Sequence, residues 1–196
     1  MKMLQLKIQL LEIEPKIWRR FIVADNITFH KLHEIIQVVM GWGNCHLYEF
    51  CVKQFHFGIP EDKYDVGVAS ARKVKLNEFL KIENQKFSYI YDFGDDWNHK
   101  IVIEKIFEKD LPDYLPLCLD GKRACPPEDC GSVPGYYELM EAMADKKHPH
   151  RKELLEWLGG SFDPEYFDIK QVNEKLSGTR NKKQRLNRGW VMESKK

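Results

Sequence analysis

Apolar positions along the chain recur with two different periods, and each segment takes the element whose period it carries. The clearest segment is 87–107, F-S-Y-I-Y-D-F-G-D-D-W-N-H-K-I-V-I-E-K-I-F. Phe87, Tyr89 and Tyr91 alternate with Ser88 and Ile90, and Ile101 and Ile103 alternate with Val102 and Glu104. That period of two belongs to pleated strands. Between the runs lie Asp92, Phe93, Gly94, Asp95 and Asp96. Gly94 suits the positive φ of a reversal, and Asp side chains bond to turn amides, so a β-hairpin is predicted.

Leu4, Leu6, Ile8 and Leu10 share one face of an opening strand that ends before Pro15, and residues 21–23 give a second extended piece. Thr28 caps a helix whose stripe is Leu32, Ile35, Ile36, Val39 and Met40, and Gly41 stops it. Residues 46–52 and 54–57 read as strands, 58–72 as an exposed loop and 76–80 as one helical turn. Four prolines make 109–131 an irregular segment, of a length that is often functional. Helices follow at 135–144, from Pro149 to Gly159, and after Asp168, which caps a stripe of Ile169, Val172 and Leu176. Strands crowd the first half and helices the second. The fold class is therefore α+β, a mostly antiparallel sheet with one helix after the first strands and a C-terminal group of helices.

Charge divides the chain further. The net charge is +1. Residues 177–196 hold Arg180, Lys182, Lys183, Arg185, Arg188, Lys195 and Lys196 against Glu193 alone, so they carry +6 and the other 176 residues carry −5. The expectation is one domain over 1–176 and a flexible basic tail over 177–196, clustered cations of the kind that displace counterions from nucleic acid. No run approaches the roughly 18 apolar residues of a membrane span, and the first apolar stretch lacks the layout of a signal peptide. A cytoplasmic protein without a membrane partner is expected. Its five cysteines then read as reduced thiols or metal ligands, ahead of a disulfide framework.

Five stretches occur together and in order: P-K-I-W-R-R at 15–20, L-H-E-I-I-Q-V-V-M-G-W-G-N-C-H-L-Y-E-F at 32–50, Y-D-F-G-D-D-W-N-H at 91–99, R-A-C-P-P-E-D-C-G-S-V-P-G-Y at 123–136, and W-L-G-G-S-F-D-P-E-Y-F-D at 157–168. With them the chain resembles the plasmid pRiA4b ORF-3 family over roughly residues 1–176, the size of one domain. Some members of that family are labelled as transposon- or resolvase-associated, but the resemblance carries over no catalytic residue. This chain departs from the pattern at Ser132, where a second glycine is usual, and at Asn98, where an acid is.

Candidate chemistry lies in four places. Asp92, Asp95 and Asp96, with His99 close behind, would suit Mg²⁺ or Mn²⁺, although reversal chemistry alone accounts for Asp beside Gly. Cys118, Cys125 and Cys130, completed by His99 or His46, would suit zinc, although their spacings of seven and five are wider than a zinc knuckle. A pocket between the first helix and the hairpin would draw on His33, Trp42, His46, Tyr91 and Trp97. Trp18, Arg19 and Arg20 would clamp a phosphate or base, together with the tail cations. Glu128 and Asp129 read as helix-terminus charges. The reading that follows is a non-catalytic binding or adaptor module with nucleic acid or another protein as partner. Its alternative is a metal-dependent hydrolase or nuclease on Asp92, Asp95, Asp96 and His99, with zinc or another divalent metal as cofactor.

Overall fold

The computed structural model describes residues 2–60, 67–108 and 115–178. Eight strands form one sheet: β1 (Lys2–Leu10), β2 (Trp18–Ala24), β3 (Tyr48–Val52), β4 (Phe55–Gly58), β5 (Val68–Ser70), β6 (Lys86–Tyr91), β7 (Trp97–Glu108) and β8 (Leu117–Lys122). Their order across the sheet is β5-β4-β3-β6-β7-β1-β2-β8, antiparallel throughout except for β4 with β5. The helices are α1 (Phe29–Met40), α2 (Leu76–Phe79), α3 (Ser132–Ala144), α4 (Arg151–Leu158) and α5 (Ile169–Gly178). The α+β class read from the sequence holds. Among the described residues no helix is long and apolar enough to cross a membrane.

Alternation decides which face of the sheet is covered. Leu4, Leu6, Ile8 and Leu10 of β1 are buried, while Gln5, Lys7 and Gln9 are not. Register extends the buried face sideways, setting Leu6 against both Phe21 and Ile103, and Leu10 against His99. Each such aliphatic contributes roughly 1.5–3 kcal/mol when fully buried. On the opposite face polar side chains pair in the open: Arg20 grips Glu104 through Nε at 2.6 Å and Nη2 at 2.9 Å. One covered and one open face is ordinary for an antiparallel sheet.

Helix α1 ends as its sequence dictates. Thr28 Oγ1 accepts from Lys31 N, and Gly41, at φ 103°, closes the helix by donating to Gln37 O at 2.9 Å. Asp168 Oδ1 likewise accepts from the amides of Lys170 and Gln171 at the start of α5.

Several expectations are corrected. The loop expected over 58–72 contains β5, which gains a ladder only through parallel pairing with β4. The irregular segment 109–131 contains β8, an edge strand on β2 that lies between the prolines. The hairpin forms where expected, but Asp92 (φ 58°) and Asp96 (φ 56°) take the left-handed conformations of its turn, not Gly94. Asp92 Oδ1 accepts from Gly94 N at 2.9 Å, the local bond that lets an aspartate sit there. Helix α3 begins at Ser132, three residues before the expected start.

Candidate functional site

Three separated pieces of chain meet at one end of the covered face: residues 42–47 after α1, the hairpin turn 92–96, and residues 126–132 before α3. Glu128 is the clamp. Its Oε1 accepts from Gly43 N at 2.7 Å and from the Tyr91 hydroxyl at 2.9 Å, while Cys45 N donates to that hydroxyl at 3.0 Å. Trp42 Nε1 donates to Pro126 O at 3.0 Å. Asp95 holds the third piece, its carbonyl accepting from Ser132 Oγ at 2.5 Å and its carboxylate from Gly131 N at 3.3 Å. Tyr91 is fully buried, and desolvation with Glu128 beside it raises its hydroxyl well above the usual phenol range.

Below the clamp is a closed polar network. Tyr89 Oη donates to His33 Nδ1 (2.8 Å) and accepts from Gln37 Nε2 (3.1 Å), His33 Nε2 donates to Asn44 Oδ1 (2.6 Å), and Asn44 N donates to Gln37 Oε1 (3.0 Å). These four bonds are mutually compatible if His33 is neutral. Burial pushes its pKa down to about 4.

At the rim, His46 Nε2 lies 3.1 Å from Asp129 Oδ1, 3.6 Å from Asp92 Oδ2 and 3.9 Å from Glu128 Oε2. This nitrogen is buried and has no hydrogen-bond partner. The His46 ring stands edge-on to Tyr91, centroids 5.9 Å apart. Ligands about 2.1 Å from a divalent ion lie roughly 3.0–3.4 Å from each other, and His46 Nε2 stands 3.1 Å from Asp129 and 3.6 Å from Asp92. Among the described residues His46, Asp92 and Asp129 are the one group of three His, Cys, Asp or Glu whose ligand atoms all lie within 4.8 Å of one another. One imidazole and two carboxylates suit a cation of intermediate hardness.

The residues expected to carry chemistry are redistributed. Asp92 enters this cluster, but Asp95, Asp96 and His99 do not. His99 is fully buried on β7 with Nδ1 facing Tyr89 O at 3.2 Å, and burial pushes its pKa down to about 4. The hydrolase quartet is therefore not assembled. Nor is the zinc set, since Cys118, Cys125 and Cys130 form no cluster with His99 or His46. Burial raises the Cys118 and Cys125 thiols to about 11 and that of Cys130 to about 12, as expected of thiols packed in apolar surroundings. Of the proposed pocket, His33, Trp42, Tyr91 and Trp97 are all buried. Trp42 packs on Tyr91 with centroids 4.9 Å apart, and it also lines a cavity with Gln37, Gly43 and Asn44.

Arg19 is corrected most sharply. It is 2% exposed. Its guanidinium donates to the carbonyls of Val39, Trp18, Lys122 and Arg123 at 2.6–2.9 Å and stacks on Phe167 at 4.3 Å. No donor is left for a phosphate. Arg20 is on the open face with Glu104, and Arg180, Lys182, Lys183, Arg185 and Arg188 lie outside the described residues. Sequence reasoning missed His46 with Asp129, because it read Asp129 and Glu128 as helix-terminus charges. Helix α3 instead starts from Gly131, with no side-chain cap.

The chain is 40% identical over 172 residues to "Uncharacterized protein y4hQ" of Sinorhizobium fredii, covering 87% of this chain and 88% of that one. It superposes with a TM-score of 0.80, at 41% identity, on a crystal structure of a "Protein of Unknown Function", MM3350 from Methanosarcina mazei Go1, covering 87% of this chain and 97% of the other. Residues 2–171 match the family described as plasmid pRiA4b ORF-3-like protein; the chain belongs to that family.

Proposed function

We propose that this protein is a binding module rather than a catalyst, and that its working site is a divalent-cation seat formed by His46, Asp92 and Asp129, with Glu128 at its edge. The observation that carries the reading is the convergence of one imidazole nitrogen and two carboxylate oxygens from three separate chain segments within 4.8 Å. Asp92 is nearly buried, whereas the Asp129 side chain is 70% exposed. A cation held there keeps coordination positions on the solvent side for an anionic group of a partner, and the clamp below fixes the ligands in advance. Isothermal titration of metal-free protein with Mn²⁺ and Zn²⁺ tests it. Saturable binding that Asp129→Asn weakens at least tenfold is expected. Heat signals unchanged by Asp129→Asn and His46→Gln would overturn the reading.

A nucleic-acid partner is a second reading, favoured by the open face of the sheet. There Lys7 Nζ lies 4.6 Å from the Trp18 ring and Arg20 Cζ 5.3 Å from it, an aromatic flanked by cations that suits a stacked base. It predicts retention on single-stranded DNA that falls steeply with salt. Retention unchanged by Trp18→Ala would remove this face from consideration.

A further inference from the structure

A second constellation occupies β3 and β4. Tyr48, Phe50 and Val52 are buried, so Glu49 and Cys51 between them project from the open face. Register sets His56 of β4 directly opposite Cys51. His56 Nδ1 donates to Glu49 Oε1 at 2.7 Å, and His56 Nε2 lies 3.8 Å from Cys51 Sγ. The carboxylate therefore selects the tautomer whose free nitrogen faces the thiol. The thiol also reaches Lys53 O at 3.2 Å, but a carbonyl cannot take its proton. Only His56 can. Nucleophile, base and orienting acid stand in the relation that activates a cysteine.

We propose that Cys51, His56 and Glu49 form a base-activated thiol site that reacts with low-molecular-weight disulfides. Cys51 passes its proton to His56 Nε2, and the thiolate attacks one sulfur of the disulfide. A new S–S bond forms as the old one breaks. The departing sulfur leaves with the electron pair and takes the proton from His56. Cys51 ends as a mixed disulfide and the small molecule as one free thiol, with no other oxidant. Acyl transfer would develop an oxyanion that needs its own donors. Exchange spreads charge along sulfur and needs only a base and an open approach. A sheet face, with the His56 side chain 43% exposed, supplies both.

Cys45 is the internal reference, being exposed where Cys51 is half-buried. The full chain is incubated with glutathione disulfide at pH 7, and modification at each cysteine is followed by peptide mass mapping. Cys51 is expected to react about tenfold faster than Cys45 despite its lower exposure, and His56→Gln to slow Cys51 by a similar factor without altering Cys45. Glu49→Gln is expected to slow Cys51 less, and to add nothing in the His56→Gln background. Cys45 reacting as fast as Cys51, or a Cys51 rate indifferent to His56→Gln, would overturn the proposal. Should His56→Gln also label the buried Cys118 and Cys125, the decision passes to Glu49→Gln, where a loss confined to Cys51 supports the proposal and no loss refutes it.

Discussion

His33 Nδ1 lies 2.8 Å from Tyr89 Oη, and with the bonds of Gln37 and Asn44 this contact joins α1, β6 and the loop after α1 in one hydrogen-bond circuit. The circuit closes only around a neutral imidazole.

Acid should therefore destabilise the fold at a pH where most carboxylates are still ionised. His33 and His99 are both held by burial at about 4, below the ordinary histidine value near 6.5. Between those limits the unfolded chain binds protons that the native chain refuses, so stability rises with pH across the window and falls as pH drops from about 6.5 to 4. Each histidine contributes on the order of 3 kcal/mol at most. Urea denaturation at pH 7.5 and 5 should show a clear loss at the lower pH, and His33→Gln should reduce that loss. A midpoint that does not move between the two values would contradict the assignment.

Replacing Arg19 should damage the fold rather than a binding surface. Arg19→Met leaves the carbonyls of Lys122 and Arg123 without their donors and should cost roughly 3 kcal/mol or more. Arg19→Lys should recover little, because an ammonium cannot span several carbonyls as a planar guanidinium does. Thermal melts of the two variants provide the comparison.

Two glycines differ in how much room surrounds them. A Cβ at Gly121 would lie 2.7 Å from Arg19 Cδ and 2.8 Å from Phe167 Cζ, whereas one at Gly135 would lie 1.9 Å from the Cys130 carbonyl oxygen. Side chains give way more readily than backbone. Gly121→Ala should cost about 1–3 kcal/mol, and Gly135→Ala more, enough to displace the start of α3. Denaturant midpoints would rank them.

Glu128 should behave as a clamp. In Glu128→Ala the amides of Gly43 and Cys45 lose their direct or relayed partner, while Trp42 N keeps Gln37 O at 3.0 Å. Hydrogen exchange should quicken at residues 43 and 45 and stay slow at 42. Uniform protection across all three would argue against the clamp.

The sequence could be read where one period ran uninterrupted. Phe87, Tyr89 and Tyr91 alternate cleanly, as do Leu4 through Leu10, and those strands lie where the pattern put them. β8 was hidden because it is an edge strand flanked by prolines, with Asp120 and Gly121 breaking its alternation, and β5 because three residues are too short for any period to register. The site was less legible than the fold. A cysteine spacing or a run of aspartates is a property of neighbours in sequence, whereas His46, Asp92 and Asp129 are neighbours only after three loops have been brought together. Arg19 misled because charge usually marks a surface. Only the four carbonyls around it make its burial affordable.

β1 lies inside the sheet, sixth in the order of eight, yet its partners β2 and β7 come from very different distances along the chain. Lys2 pairs with Glu108 and Leu10 with His99. During synthesis the first strand is thus left with one flank bare until residue 108 has emerged from the ribosome. β2 waits longer still, for β8 at residues 117–122, and a nascent chain stalled before β7 is made presents an unpaired edge of β1 to whatever chaperone is near.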